Sequence, residues 1–453
     1  MGLGNLFRLL NDSRVTERLK NTSLLALFIF FLFPIFPNAV GAISLGIFIV
    51  FFMLTHPRRN PLMRERGRFL IIVGFFLFLT LSLLWSSDIL AGLKELKIEI
   101  AFLIITYVFW YYEILNSNKI IDLLKLTFIF SIFLYFFLWT NYQIEGVSLF
   151  QVNHLRHIPL NSYNYIESVI QLFKMKYSYF GYISEWGYFR FGKTPELFIH
   201  HTYISFGIFL AIIFLVQFLF QTKNWYYKLL LIILLLFFSW FLFQLPSKIN
   251  ILIFALCVLF LGFTKLPAKL WLFTIIGFSS LVFFKFDLGK KLGEINFVQK
   301  EPNNRDNSFV IDYQRYQIYK TSVEILKTSP LIGIGIGDVE SRLNKLVVRN
   351  SKYEGPIPIN SIILNTHSYY FFCLLSTGIL GLLLFFCFIL YSIYLGWINK
   401  GYEFIFFIIM FSINCIFESF LSRNWGVFLF LIGWIIFISE MRIALNYRKN
   451  ING

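Results

Sequence analysis

Nearly the whole chain is divided into apolar runs of about twenty residues separated by short charged clusters, and this pattern limits the fold more than any single motif does. A hydrocarbon core of ~30 Å takes ~20 apolar residues per helix. Runs of that kind lie near 22–37, 39–55, 69–85, 98–115, 120–140, 202–221, 226–244, 249–264, 268–286, 368–397, 403–421 and 426–445. The first two are parted only by Phe36-Pro37-Asn38, and a merged helix would be far too long. The expectation is an all-α integral membrane protein with about twelve transmembrane helices. Composition agrees: 58% of the 453 residues are hydrophobic and 14% are charged, where soluble domains carry about a quarter charged. The formal charge of +16 would suit a nucleic-acid binder, but the cations sit in clusters between apolar runs, so no nucleic-acid partner is expected.

Those clusters orient the chain. Arg8, Arg14, Arg18 and Lys20 precede the first run; Arg58, Arg59, Arg64, Arg66 and Arg68 lie between the second and third. Lys265 and Lys269 flank the eighth-to-ninth turn, and Arg442, Arg448 and Lys449 follow the last run. An even number of spans puts all four on one side, which makes both termini cytoplasmic. The first run leads straight into a second, so no cleavable signal peptide is expected. Two long hydrophilic segments, 141–201 and 287–367, then fall on the opposite side, and loops of that length usually carry function. Within them, Asn164 to Lys174 and Asp312 to Lys327 have amphipathic helical spacing.

Polar groups outside the positive-inside pattern are the informative ones. Lys248 lies between the seventh and eighth runs, Arg423 follows the eleventh close to Glu418, and Arg190 and Lys193 precede the sixth beside His200-His201. Arg315 falls in the second amphipathic stretch, and His367 opens the tenth run in Asn-Thr-His-Ser-Tyr-Tyr. All are expected on the outer side, where converging cations suit a lipid diphosphate, since guanidinium groups bind phosphate oxygens bidentately. An imidazole at that boundary can take a proton from an attacking hydroxyl. Gly378 and Gly381 can let a neighbouring helix or lipid tail approach closely. Ser329-Pro330-Leu331-Ile332-Gly333-Ile334-Gly335 reads as a tight turn packed against the helix ending near Lys327; without a Walker lysine it is no nucleotide site. Cys257, Cys373, Cys387 and Cys415 all lie in apolar runs and read as buried small hydrophobes. No metal-ligand motif is apparent, so neither metal nor cofactor is expected.

In order along the chain these residues resemble the O-antigen ligase and polymerase superfamily of bacterial envelope glycan assembly. The resemblance covers roughly 70–445 and rests on Ser82-Leu83-Leu84-Trp85-Ser86 and on His201-Thr202-Tyr203. It rests further on Ser247-Lys248, on Arg315 followed by the Pro-hydrophobic-Gly-x-Gly turn, and on His367-Ser368, nine residues, then Gly378-x-x-Gly381. Glu418-Ser419 to Arg423 is similar to the family's last outer turn. Lys248 stands where the family usually has arginine, and Leu382 where ligases often have threonine.

The resemblance implies a multi-pass protein of the bacterial inner (cytoplasmic) membrane with its active site facing the periplasm. Its parts would be a cytoplasmic N-terminus (1–21), transmembrane helices one to five (22–140), a periplasmic segment (141–201), helices six to nine (202–286), a large periplasmic loop (287–367), helices ten to twelve (368–445) and a cytoplasmic C-terminus (446–453). The implied activity is a metal-independent glycosyltransferase that moves a glycan from undecaprenyl diphosphate to a sugar hydroxyl of a glycolipid or lipid-linked glycan. It is most similar to O-antigen ligase, whose acceptor is lipid A-core. His367 and Arg315 would be catalytic, and Arg190, Lys248 and Arg423 would bind diphosphate. His201, Tyr203, Ser368 and Glu418 are further candidates. The alternatives are a polysaccharide polymerase, a protein O-glycosylating transferase of the same superfamily, and, from another class, a lipid or glycan transporter. A transporter of this size is expected to show repeats, broken helices and mid-membrane charges, whereas the candidate groups lie at one face.

Overall fold

A computed structural model describes residues 13–36, 38–55, 73–111, 115, 117–145, 201–244, 307–350 and 365–452. Among these the regular elements are all helical. They are α1 (Ser13–Phe31), α2 (Asn38–Thr55), α3 (Val73–Trp85), α4 (Ile89–Tyr111), α5 (Asn118–Glu145), α6 (His201–Gln221), α7 (Trp225–Gln244), α8 (Asn307–Leu326), α9 (Val339–Asn350), α10 (Tyr369–Ile398), α11 (Tyr402–Phe417) and α12 (Asn424–Asn452).

Among the described residues six helices are long and apolar enough to cross a membrane: α2, α5, α6, α7, α10 and α12. The protein is therefore built as a multi-pass membrane protein. The apolar runs 69–85 and 403–421 correspond to the shorter helices α3 and α11. The run 22–37 is split, α1 ending at Phe31 before a 3-10 turn at Phe33–Ile35 that holds Pro34 at its start, since proline has no N–H to continue an α-helix. α4 starts well ahead of the expected 98, at Ile89, because Lys94, Glu95, Lys97 and Glu99 extend the helix into charged sequence. The amphipathic stretch 312–327 is α8. The runs 249–264 and 268–286 and the stretch Asn164 to Lys174 lie outside the described residues.

The chain forms two compact units, one of residues 12–51 and 122–248, the other of residues 1–11, 52–121 and 249–453. In the first, α6 and α7 pair through Thr222 to Asn224, and Asn224 Oδ1 accepts the Tyr226 N–H at 2.9 Å as an N-cap. Trp225, Tyr226 and Tyr227 are exposed at that end, as aromatic residues at a membrane–water boundary are. Lys125 of α5 is fully buried between Asp122 at 3.8 Å and the rings of Phe214 and Phe218 at 5.9 and 5.6 Å.

The second unit packs α3, α4, α10, α11 and α12 around aromatic side chains. Phe76 stacks on Phe102 at 4.1 Å, Phe102 meets Phe430 at 5.2 Å, and Phe430 meets Phe411 at 4.4 Å and Trp434 at 5.5 Å. Lipid tails are as apolar as these rings, so close packing rather than the hydrophobic effect holds the helices together, at ~0.5–1.5 kcal/mol per aromatic pair. Cys373 and Cys415 are buried in this unit as expected, but Cys387 is exposed, because it falls on the outward face of α10 beside Phe386 and Leu390.

α10 is broken. Gly378 has φ 66° and ψ −165° within it, and the turn after α8 fills the gap with its own backbone. The Ile334 and Gly335 N–H groups donate to the Leu375 and Ser376 carbonyls at 2.8 and 3.0 Å, while the Ile379 and Leu380 N–H groups donate to the Pro330 and Leu331 carbonyls at 2.9 and 3.2 Å. The two glycine motifs are thus two halves of one joint. A Cβ on Gly333 would lie 2.6 Å from the Gly378 nitrogen, and one on Gly378 would fall on the Leu331 carbonyl. The tight turn expected after Lys327 is present. Its partner is the break in α10, and the neighbour that approaches Gly378 is this backbone.

Candidate functional site

Four connections of the second unit meet at one end: the turn after α3, the turn between α8 and α9, the loop entering α10, and the turn between α11 and α12. Ser82 Oγ accepts the Ile336 N–H and Ser86 Oγ accepts the Gly337 N–H, both at 3.1 Å. Asp338, buried before α9, accepts the Ser87 and Asp88 N–H groups at 2.9 and 3.0 Å. The small residues are needed for this approach, since a Cβ on Gly335 would meet the Ser86 backbone at 2.8 Å. The loop entering α10 is tied to the last turn by a 2.8 Å hydrogen bond between the Thr366 and Ser419 hydroxyls and by the Tyr369 N–H donating to the Glu418 carbonyl at 3.1 Å.

His367 sits in this loop, half-buried, with φ 47°. Its N–H donates to Asn365 Oδ1 at 2.8 Å, and its carbonyl lies 3.4 Å from the Tyr319 hydroxyl of α8. Tyr319 also stacks on Phe371 at 5.0 Å. Arg315 lies on α8 one helical turn before Tyr319, so the helix that carries it reaches the His367 loop. Ser368 is buried, its hydroxyl donating to the Cys415 carbonyl at 3.4 Å. Glu418 is buried, and its carbonyl takes part in the turn. His201 and Tyr203 belong to α6 of the other unit, where Tyr203 is buried. Arg190 and Lys248 lie outside the described residues.

Beside the His367 loop is a small pocket of about 20 Å³, room for about one water molecule. Glu95 of α4, Glu340 of α9, Asn365 and Thr366 of the loop, and Ser422 and Arg423 of the last turn line it, with Phe372 closing one side. His367 is not among its lining residues. Glu95 precedes the apolar part of α4. Burial pushes its carboxyl up to about 7, Glu340 pushes the same way, and the Arg423 guanidinium pulls it down. One turn further along α4, Glu99 is buried and accepts the Tyr369 hydroxyl at 2.9 Å, while its second oxygen has no hydrogen-bond partner.

Of the residues singled out by sequence, the structure gathers Ser82 to Ser86, the 330–335 turn, His367, Ser368, Glu418 and Arg423 at one end of one unit. Reasoning from cations passed over the carboxylates of the pocket. Glu99 carried a signal, being an acid inside an apolar run; Glu340 carried none, reading as loop charge. Among the described residues no group of three or more His, Cys, Asp or Glu is placed to hold a metal ion.

Residues 197–386 match the family model described as O-antigen ligase. Over this segment the chain is similar to the O-antigen ligase family. The matched segment runs from the residues before α6 to Phe386 of α10, and so takes in the 330–335 turn, Arg315, His367 and the glycine break. Glu95, Glu418 and Arg423 lie beyond the O-antigen ligase match and join the site through the fold. No curated protein matches the chain.

Proposed function

We propose that the protein is a membrane glycosyltransferase of the O-antigen ligase type, with about twelve transmembrane helices and a periplasmic site in the bacterial inner membrane. The donor is a glycan on undecaprenyl diphosphate, and the acceptor is a sugar hydroxyl of lipid A-core. The observation that carries the reading is the coincidence of the family match with the meeting of four motif-bearing connections around His367.

The chemistry follows from the groups. Diphosphate leaves readily once its developing charge is met by fixed cations, so Arg315, with Arg190 and Lys248, stabilises the leaving group. The acceptor hydroxyl is a poor nucleophile, and His367 takes its proton as it attacks the anomeric carbon with inversion, a contribution of typically ~10²–10⁴ in rate. The scheme needs neither a metal nor a nucleotide. The broken helix favours a transferase over a transporter: transporters use such breaks to bind substrate, whereas here the chain's own turn occupies the break.

The test is His367→Ala, at normal membrane abundance, in the producing cell. Lipid-linked glycan accumulates and mature product disappears, as read by mass spectrometry of the glycolipids. Unchanged transfer removes His367 from the mechanism. Deletion of the gene separates the acceptors: long free lipid-linked chains mark a lost ligase, and single repeat units on the lipid core mark a lost polymerase.

A further inference from the structure

The pocket beside the His367 loop has the size of a single water and the groups to hold one. Its volume of about 20 Å³ passes the ~10–15 Å³ that a buried water needs, and such a water also needs roughly two to four polar partners. Separate elements offer them: Glu95 on α4, Glu340 on α9, and Ser422 with Arg423 in the turn between α11 and α12. Ser422 carries the argument. It lines the pocket at 8% exposure, and its hydroxyl has no hydrogen-bond partner in the protein. The other two hydroxyls at the pocket, those of Thr366 and Ser419, are bonded to each other at 2.8 Å. A buried hydroxyl left unpaired is costly, and native structures pair such groups with ordered water where the protein offers nothing. Glu95, its carboxyl pushed up to about 7, mainly by burial, can offer a water either an O–H or an acceptor oxygen.

What a water there would fix is the approach to His367. Asn365 and Thr366 line the pocket and lead directly into that residue. The Asn365 side chain accepts the His367 N–H at 2.8 Å, and His367 has a φ of 47°. A non-glycine residue keeps such a backbone only where its surroundings over-determine it. The hydrogen bonds already described tie this loop to α8 and to the turn after α11. A water in the pocket extends the ties to α4 and α9, because Glu95 and Glu340 stand on those helices.

We propose that the pocket holds one ordered water, bonded by Ser422 and Glu95, that locks the Asn365-Thr366 approach and so holds His367 in place for proton transfer. Ser422 and Glu95 are then positioning residues that act through the water. The role given to His367 rests on the glycosyl-transfer reading, whereas the water site does not.

The experiment has two arms, both on the full chain in nanodiscs. In the first, X-rays make hydroxyl radicals from water, and mass spectrometry reads the side chains they oxidise. Leu343 lines the pocket and is as fully buried as Leu431 of α12. Leu343 is expected to be oxidised several-fold faster than Leu431, and Ser422→Ala to remove the difference. In the second, glycan transfer is measured from the polyprenyl-diphosphate donor to the core glycolipid, both extracted from the producing cells. Ser422→Ala and Glu95→Leu are expected to lower kcat about tenfold with KM unchanged, since small misplacements of a catalytic group cost rate. Glu95→Gln, which still hydrogen-bonds, is expected to recover most of the loss. The proposal is overturned if Leu343 is oxidised no faster than Leu431, or if Ser422→Ala leaves the Leu343 rate unchanged. It is equally overturned if both Ser422→Ala and Glu95→Leu keep the wild-type kcat, or if Glu95→Gln is as slow as Glu95→Leu. Failure of the underlying reading looks different: Leu343 is oxidised as expected, yet the wild type transfers no glycan. That result upholds the water site and overturns the role given to it.

Discussion

Gly378→Ala is the substitution that most directly tests the joint between α10 and the 330–335 turn. Its φ of 66° and ψ of −165° lie in a region that only glycine adopts readily, at a cost of ~1–3 kcal/mol for any other residue. The added methyl would also overlap the Leu331 carbonyl and come within 2.5 Å of the Ile332 nitrogen. Both are backbone, so no rotamer change relieves the contact. The turn must back away, and the hydrogen bonds from Ile334, Gly335, Ile379 and Leu380 lengthen or break. Each is worth ~0.5–1.5 kcal/mol net, so the combined loss is at least ~2 kcal/mol even if half of them survive. The assay is thermal unfolding of the purified full-length protein in detergent, followed by size-exclusion fluorescence. Gly74→Ala in α3 is the control, because a Cβ there meets nothing within 4 Å and alanine is the better helix former by ~1 kcal/mol. If Gly378→Ala melts with the wild type, the joint described here does not hold the unit together.

Asp338→Asn removes one of two charge-assisted acceptors for the Ser87 and Asp88 N–H groups and should cost ~1.5–3 kcal/mol in the same assay. Tyr369→Phe leaves Glu99 without its hydroxyl donor; a comparable loss is expected, and unaltered stability would show that this bond contributes nothing. Glu95 gives a pH dependence of definite sign. Its folded carboxyl titrates near about 7 against an ordinary 4.5, so between these values the unfolded chain ionises first while the folded one keeps its proton. Stability therefore falls as pH rises through that window and levels off above it. Unfolding measured across pH should show this slope in the wild type and a flatter one in Glu95→Gln.

Much of the helical framework was legible because hydropathy is a summed property: a run of twenty apolar residues survives errors at individual positions. The stretch assigned to 312–327 is α8 at Asn307–Leu326, read from the spacing of its apolar residues and not from summed hydropathy. The glycine motifs were visible but not their partnership, because the joint is made by backbone groups, which leave no side-chain pattern beyond the glycines themselves. His367, Glu418 and Arg423 were singled out as polar groups near the ends of apolar runs. Glu95 and Glu340 were missed because an acid outside the apolar runs looks solvated in sequence, and only packing brings one from α4 and the other from α9 to the same pocket.

The insertion of the 330–335 turn into α10 constrains how the protein can move. The Leu375 and Ser376 carbonyls lie in an apolar helix, where an unsatisfied group costs several kcal/mol, and the turn supplies their donors. A gate that admitted a bulky lipid-borne glycan by swinging this loop away would strand those carbonyls. Loop and upper α10 must therefore travel as one lever, and the pivot for substrate entry has to lie elsewhere.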